Sequence, residues 1–370
     1  MKIVLIIDWH VYYTVHLANA LCRDHEVLLI TRDHSYEISS SEKSGELDNF
    51  LDDCLDKRIL REKLRYRQSS LKNVSEVRRV YWVVQEFAPD IVHVQENTDW
   101  RILLLARSLG FEKTVLTIHD VVIHPGEPTG VLKPLRRILR RKAKKIIVHG
   151  DYLKRQLISL FNTPENKICV VPNGTHTLYK KWDDGSVREE RATVLFFGRI
   201  SQYKGIDVLI RAGSQISQEF PEAKIVIAGK GSDFEKYASL IKDRSRFELH
   251  DRFIPDREVA TFFRRATVVV LPYIEASQSG VALVAFAFGK PVVATHVGSL
   301  PEVVEDGVTG FIVPPGDPEA LGKAIIKILA DPALQKSMGQ NALAKGDSDL
   351  SWSRIAKKTA EIYSEILSHA

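Results

Sequence analysis

The stretch LPYIEASQSGVALVAFAFGKPVVATHVGSLPEVVE, residues 271–305, decides the fold. A strand-like run at 266–271 ends at Pro272, a polar loop spans 275–279, and Gly289-Lys290-Pro291 stops the uncharged segment 280–288. That segment alternates well enough for a strand, so period alone leaves strand and helix open. Its alanines favour a helix, Ser279 stands where an N-cap belongs, and glycine followed by proline ends one. The reading is strand, loop, buried helix, strand. The amides of Gly280, Val281 and Ala282 then lack partners inside the helix and face the mouth of the loop, where a phosphate fits. The plainer alternative is an ordinary β-α-β unit with a hydrated helix end.

A second stretch bears on that choice. LFFGRISQYKG, residues 195–205, ends an apolar strand in Gly198-Arg199 and places Lys204 five residues after the arginine. With GKPVVATHVGSLPEVVEDGVTGFIVPPGD, residues 289–317, it resembles the C-terminal domain of the family 4 glycosyltransferases, retaining enzymes of the GT-B class. The resemblance covers most of residues 192–317. It implies a diphosphate clamped by Arg199 and Lys204 opposite the helix start, the arginine bidentately and the lysine as a point charge.

One departure matters. The family carries a Glu, seven residues, then a second Glu at this helix; registered on Gly289-Lys290-Pro291, those positions hold Ala276 and Val284. In the family the first lies against the donor sugar and the second binds ribose. Glu275 is one residue from the first position, and nothing near Val284 replaces the second. The loop Ser277-Gln278-Ser279-Gly280 resembles a subgroup of the family.

The chain has 370 residues, enough for two full cores, and 44% hydrophobic with 27% charged residues is ordinary for a soluble globular protein. Cys22, Cys54 and Cys169 are an odd, widely spaced set, which points to reduced thiols in the cytoplasm, with Cys22 and Cys169 read as core. The run at residues 3–7 is only five apolar residues before Asp8 and no later run is long enough to cross a bilayer, so neither a signal peptide nor a membrane-spanning helix is expected. The net charge of +5 sits in the first half, where residues 1–180 hold 28 Lys and Arg against 22 Asp and Glu.

Strand, helix and strand patterns at 2–7, 14–23 and 25–31 open a Rossmann-like domain. Its first loop holds Trp9, His10, Tyr12 and Tyr13 where many family members have a glycine pair; these rings could stack on an acceptor sugar or merely cap the sheet. Acidic 39–55 and basic 57–72 together read as a mobile loop and an amphipathic helix. A helix is expected at 74–86, and a short strand ends in His93 and Gln95-Glu96. The strand 114–118 ends in His119-Asp120, which resembles the family's histidine that contacts the donor sugar; His124 is a second candidate. Residues 133–145 carry eight Lys and Arg and no acid, either a solvated face or a helix meeting an anionic bilayer. Nucleic acid is disfavoured by the lack of interleaved aromatics or a known module.

Residues 146–148 and 168–171 close the first sheet, and the composition of 179–191 reads as a linker. A second sheet begins at 194–197, continues through 223–228 into Gly229-Lys230-Gly231, and reaches 247–254, where the family pattern puts Arg252, Phe253 and Ile254 near the nucleobase. A last helix from 351 crosses, in the family, back onto the first domain.

The expected fold is α/β: two Rossmann-like domains facing across a cleft, residues 1–180 with 351–370 for an acceptor and 181–350 for a nucleotide-diphosphate sugar. Catalytic roles fall to His119, Arg199 and Lys204. The donor would lie against Gly198, Gly229, Gly231, Arg252, Phe253, Ile254, Glu275, Gln278, Ser279, Gly280 and Val281, and the acceptor against the first loop. The reaction is retaining transfer to a glycan or lipid-linked acceptor, with no cofactor and no metal. A nucleotide-sugar 2-epimerase and a non-catalytic carbohydrate-binding relative share this architecture. Absence of G-x-G-x-x-G after the first strand disfavours an NAD enzyme.

Overall fold

The computed structural model describes residues 1–7, 10–32, 46–66, 70–96, 99–122 and 133–368. The chain divides into two compact units, residues 1–173 with 352–370, and residues 174–351. Trp9 and His124, considered above, lie outside the described residues, as do 39–45, 67–69 and Leu132.

The first unit is built on β1 (Lys2–Ile6), β2 (Glu26–Arg32), β3 (Leu60–Leu64), β4 (Ile91–Gln95), β5 (Thr114–Ile118), β6 (Lys145–Val148) and β7 (Ile168–Val170). All pair in parallel, in the order β3-β2-β1-β4-β5-β6-β7. Helices on both faces bury the central strands, which is why they read as unbroken apolar runs. The second unit holds β8 (Thr193–Phe197), β9 (Lys224–Gly229), β10 (Phe247–Asp251), β11 (Val268–Leu271), β12 (Val292–Thr295) and β13 (Gly310–Val313), also parallel, in the order β10-β9-β8-β11-β12-β13. In each sheet the order reverses once, between β1 and β4 and between β8 and β11. Ligands of open α/β sheets gather beyond the carboxyl ends of the strands at such a reversal.

The segment 280–288 is a helix, Gly280–Ala287, with Ala282 through Ala287 all buried. It joins β11 to β12, whose parallel pairing requires a crossover. The final helix, Trp352–Ser368, belongs to the first unit: Trp352 stacks on His16 at 4.8 Å, and Tyr363 is fully buried.

Four expectations need correction. The amphipathic helix of the 39–72 region lies in its acidic part, Glu46–Cys54, and the basic part supplies the edge strand β3. Three of its cations meet carboxylates of the same region, Lys63 with Asp48 at 2.6 Å, Arg58 with Asp56 at 2.9 Å and Arg61 with Asp52. Cys22 and Cys54 are buried, whereas Cys169, on edge strand β7, is only half-buried. The 179–191 stretch is no free linker: Glu189 pairs with Lys290 at 2.5 Å, Glu190 with Arg265 at 2.7 Å, and Asp183 with Arg264, all within the second unit. Finally, Arg136 is not part of a solvated basic face, because it turns inward onto Glu96.

Candidate functional site

At the reversal of the second sheet, β8 runs into Gly198, which takes φ 114° and lies so close to the helix start that a Cβ there would be 3.6 Å from Val281. Two more glycines make room for this loop. A Cβ at Gly229 would meet the Gly198 carbonyl oxygen at 1.8 Å, and one at Gly231 the Ile200 carbonyl oxygen at 1.8 Å. The loops are stitched by the Gly198 amide donating to Ala228 at 2.9 Å and the Ile200 amide to Lys230 at 3.0 Å. On the other side the Ile274 amide donates to the Tyr203 carbonyl at 2.8 Å. The loops that carry Arg199, Lys204 and the helix start are thereby brought together.

Arg199 and Gly280 are exposed, and Lys204 lies with its Nζ 3.7 Å from the ring centroid of the buried Tyr273. Ser279 has the extended backbone of an N-cap, but its hydroxyl bonds to that of Tyr273 at 3.2 Å and makes no cap bond. Burial holds the Tyr273 phenol protonated, with its pKa raised. Of the remaining expected donor residues, Glu275 is exposed, Gln278 half-buried, and Arg252 pairs with Glu258. Phe253 is partly exposed at the end of β10, while Ile254 is in the core and offers no side-chain surface. Ala276 and Val284 are core residues as well. His176 is a neighbour the sequence reading missed: its ring lies 3.7 Å from where a Gly280 Cβ would be.

At the reversal of the first sheet the groups are side chains. His119, Gln95 and His93 are fully buried and His149 nearly so. His149 Nδ1 is 3.0 Å from the Val171 carbonyl, His149 Nε2 3.0 Å from His119 Nδ1, and His119 Nε2 3.1 Å from the Gln95 amide. His93 continues the chain, 2.6 Å from Thr117 Oγ1 and 2.5 Å from Tyr363 Oη. Burial lowers the His149 pKa to about 4 and that of His93 to about 3, so both are neutral near pH 7. His10 stacks on His119 with centroids 3.6 Å apart. Of the expected acceptor residues, Tyr12 is half-buried with its ring edge-on to Phe50, and Tyr13 is buried against His119, His149 and Trp352, with no open face for a sugar.

Beside this cluster Glu96 accepts from the amides of His119 and Asp120, each at 3.2 Å, and pairs with Arg136, whose pKa burial lowers to about 10. His10, Glu96 and Asp120 each bring one potential ligand atom within 4.8 Å of the others. The Arg136 guanidinium supplies a cation at that spot. His149 was missed in the sequence although it follows an apolar strand in IIVHG much as His119 does in VLTIHD.

A model described as "Glycosyltransferase Family 4" matches residues 11–177, and one described as "Glycosyl transferases group 1" matches 191–331. The chain belongs to the family 4 glycosyltransferases and has the GT-B fold. It is similar to the uncharacterized glycosyltransferase MJ1607 of Methanocaldococcus jannaschii, 31% identical over 59% of this chain and 59% of that one. A D-inositol 3-phosphate glycosyltransferase of Streptomyces avermitilis is 32% identical over 60% of this chain and 52% of its own length. The chain thus spans little more than half the length of these curated relatives. The crystal structure of Anabaena Alr3699/HepE in complex with UDP superposes with a TM-score of 0.71 at 19% identity, over 99% of this chain and 100% of that one. A glycosyltransferase from Rickettsia africae gives 0.73 at 19% identity, over 100% and 99%. Among the described residues no helix is long and apolar enough to cross a membrane.

Proposed function

We propose that this protein transfers a sugar, with retention, from a nucleoside diphosphate sugar held by the second unit to a hydroxyl acceptor held by the first. The observation that carries this reading is the meeting of the Gly198–Lys204 loop with the uncapped start of the helix Gly280–Ala287. Two cations and the amides of a helix start that no Ser279 side-chain bond caps suit a diphosphate and would stabilise it as its charge grows on leaving. Lys204 lies over the Tyr273 ring at the mouth of this loop, close to where the diphosphate would sit. No metal is required, since Arg199 and Lys204 carry the neutralising charge. UDP and UDP-glucose complexes of the fold neighbour Alr3699/HepE give the donor class precedent.

The acceptor is a glycan or a lipid-linked sugar of surface polysaccharide or glycoconjugate synthesis, met in the cytoplasm by peripheral docking on the inner face of the membrane. What favours the membrane is the exposed part of the helix Lys133–Lys142, where Ile138 is 42% exposed and Arg137, Arg141 and Lys142 are exposed around it.

A thermal-shift panel of nucleoside diphosphates and their sugars tests the donor reading. A matching ligand at a hundred times its dissociation constant adds about 2.7 kcal/mol. No stabilisation by any of them would remove the donor site. Turnover of the stabilising donor without acceptor would favour an epimerase, and stabilisation with no turnover in either condition a binding protein.

A further inference from the structure

We propose that His149 fixes the tautomer of His119 and that His10, stacked on His119, is the imidazole this sheet edge presents to a ligand. The chain of hydrogen bonds has a direction. A carbonyl only accepts, so the bond to Val171 O requires His149 to carry its proton on Nδ1, leaving Nε2 as an acceptor. His119 Nδ1 must then donate to it. In neutral His119 the other nitrogen, Nε2, needs a donor, which Gln95 supplies with its amide group turned so that NH2 faces His119. The Gln95 carbonyl then faces His93 Nε2, whose proton also reaches Thr117, and Tyr363 donates to His93 Nδ1. The hydrogen bonds that link Tyr363, His93, Gln95, His119, His149 and the Val171 carbonyl thus run in one consistent sense with all three rings neutral.

Both nitrogens of His119 are therefore spent inside the unit, and the ring is fully buried. One face of it is covered by His10, whose side chain is 26% exposed. His10 is held there by an unusual backbone, φ 63° and ψ 48° at the start of the helix Val11–Leu21. A non-glycine residue in the left-handed region costs free energy and persists where the surroundings enforce it, as functional sites do. Thr14 fixes its carbonyl with both amide and hydroxyl, each at 3.1 Å, and Glu96 Oε2 lies 3.8 Å from its Nε2. His10 is thus a rigid imidazole at the point where the strand order reverses. His149 and Gln95 are positioning residues that act on it through His119. That the ligand is a sugar, met through a hydroxyl, rests on the function proposed above; the tautomers and the exposure of His10 do not.

Nitrogen-15 imidazole spectra of the full-length protein at pH 7 should show His119 and His149 both neutral and protonated at Nδ1. Diethyl pyrocarbonate followed by peptide mapping should modify His10 at least tenfold faster than His119, His149 or His93, and His10→Ala should uncover His119. A His119 protonated at Nε2, or modified as fast as His10 in the wild type, overturns the proposal. His149→Gln should shift His119 toward the other tautomer; should it fail to fold, the wild-type spectra and reactivities still decide. Among nucleotide-sugar-active preparations, His10→Ala should lower transfer about a hundredfold, with donor stabilisation in the thermal shift unchanged and His10→Gln recovering about tenfold. Full transfer by His10→Ala would refute the ligand contact. If the wild type transfers nothing from any nucleotide sugar, the functional reading fails while the reactivity pattern continues to decide which imidazole is presented.

Discussion

At the reversal of the second sheet the proposed donor site would rest on backbone amides and two cations, and glycines at 198, 205, 229 and 231 let three loops stack at contact distance. At the reversal of the first sheet the corresponding groups are side chains from β4, β5, the end of β6 and the C-terminal helix, locked by hydrogen bonds around His119. The first arrangement keeps its charges near solvent and suits a charged ligand that brings its own strong field. The second excludes water and suits the placing of a neutral, hydroxyl-bearing ligand, where geometry matters more than charge. The same fold thus supports an electrostatic end and a positional end.

The largest expected difference concerns arginines only one residue apart. Arg136 turns inward, pairs with Glu96 and donates to the Asp120 carbonyl, whereas Arg137 is exposed. Arg136→Glu sets two carboxylates side by side in a mostly buried place and should cost roughly 3–5 kcal/mol, as breaking a buried pair does. Arg137→Glu should stay within about 0.5 kcal/mol. Denaturant titration followed by circular dichroism compares them. Equal stabilities would mean that Glu96 does not hold the basic helix in place.

Next in size, Arg199→Ala and Lys204→Ala should each lower turnover on the order of a hundredfold, about 2.7 kcal/mol, without loss of stability. Arg199 is exposed and Lys204 lies over the Tyr273 ring, so neither truncation removes a core side chain. Near-wild-type rates in both would separate the exposed cations from the chemistry. Gly229→Ala should instead destabilise the second unit by roughly 1–3 kcal/mol, because the added methyl meets a backbone oxygen and not a movable side chain. Unchanged unfolding of that variant would show that the loop holding Arg199 yields easily.

The contrast also accounts for what the sequence disclosed. Loops made of glycine and backbone leave a mark in the order of residues, so Gly198-Arg199, Gly229 and Gly231 and the helix stop at Gly289 are legible in the sequence itself. His119 was legible because it directly follows an apolar strand. Its partners were not: His149 is 30 residues away and Tyr363 is 270 residues from His93, and no local pattern pairs them. In the basic stretch 57–72 the partners are hidden for a related reason, since Lys63 and Arg61 meet Asp48 and Asp52 only after the chain folds back. Ala276 and Val284 stand where the family carries its two glutamates, and their burial assigns them to packing.

The smallest effect per residue concerns the membrane. Of the arginines in the helix Lys133–Lys142, Arg136 is committed to Glu96, and Arg140 lies 3.7 Å over the ring of Phe161. Among the described side chains of this helix, the exposed cations that could meet an anionic surface are Arg137, Arg141 and Lys142, with Ile138 exposed among them to enter the headgroup region. Each basic residue close to such a surface contributes about 1 kcal/mol, and salt screens it. Reversing these three to glutamate should therefore release the protein from phosphatidylserine-rich vesicles at low salt while leaving its melting temperature unchanged, which a set containing Arg136 could not establish. Cosedimentation measures the first and circular dichroism the second. A wild type that stays in the supernatant at low salt would make this face a solvated surface, and the acceptor of the first unit a soluble glycan.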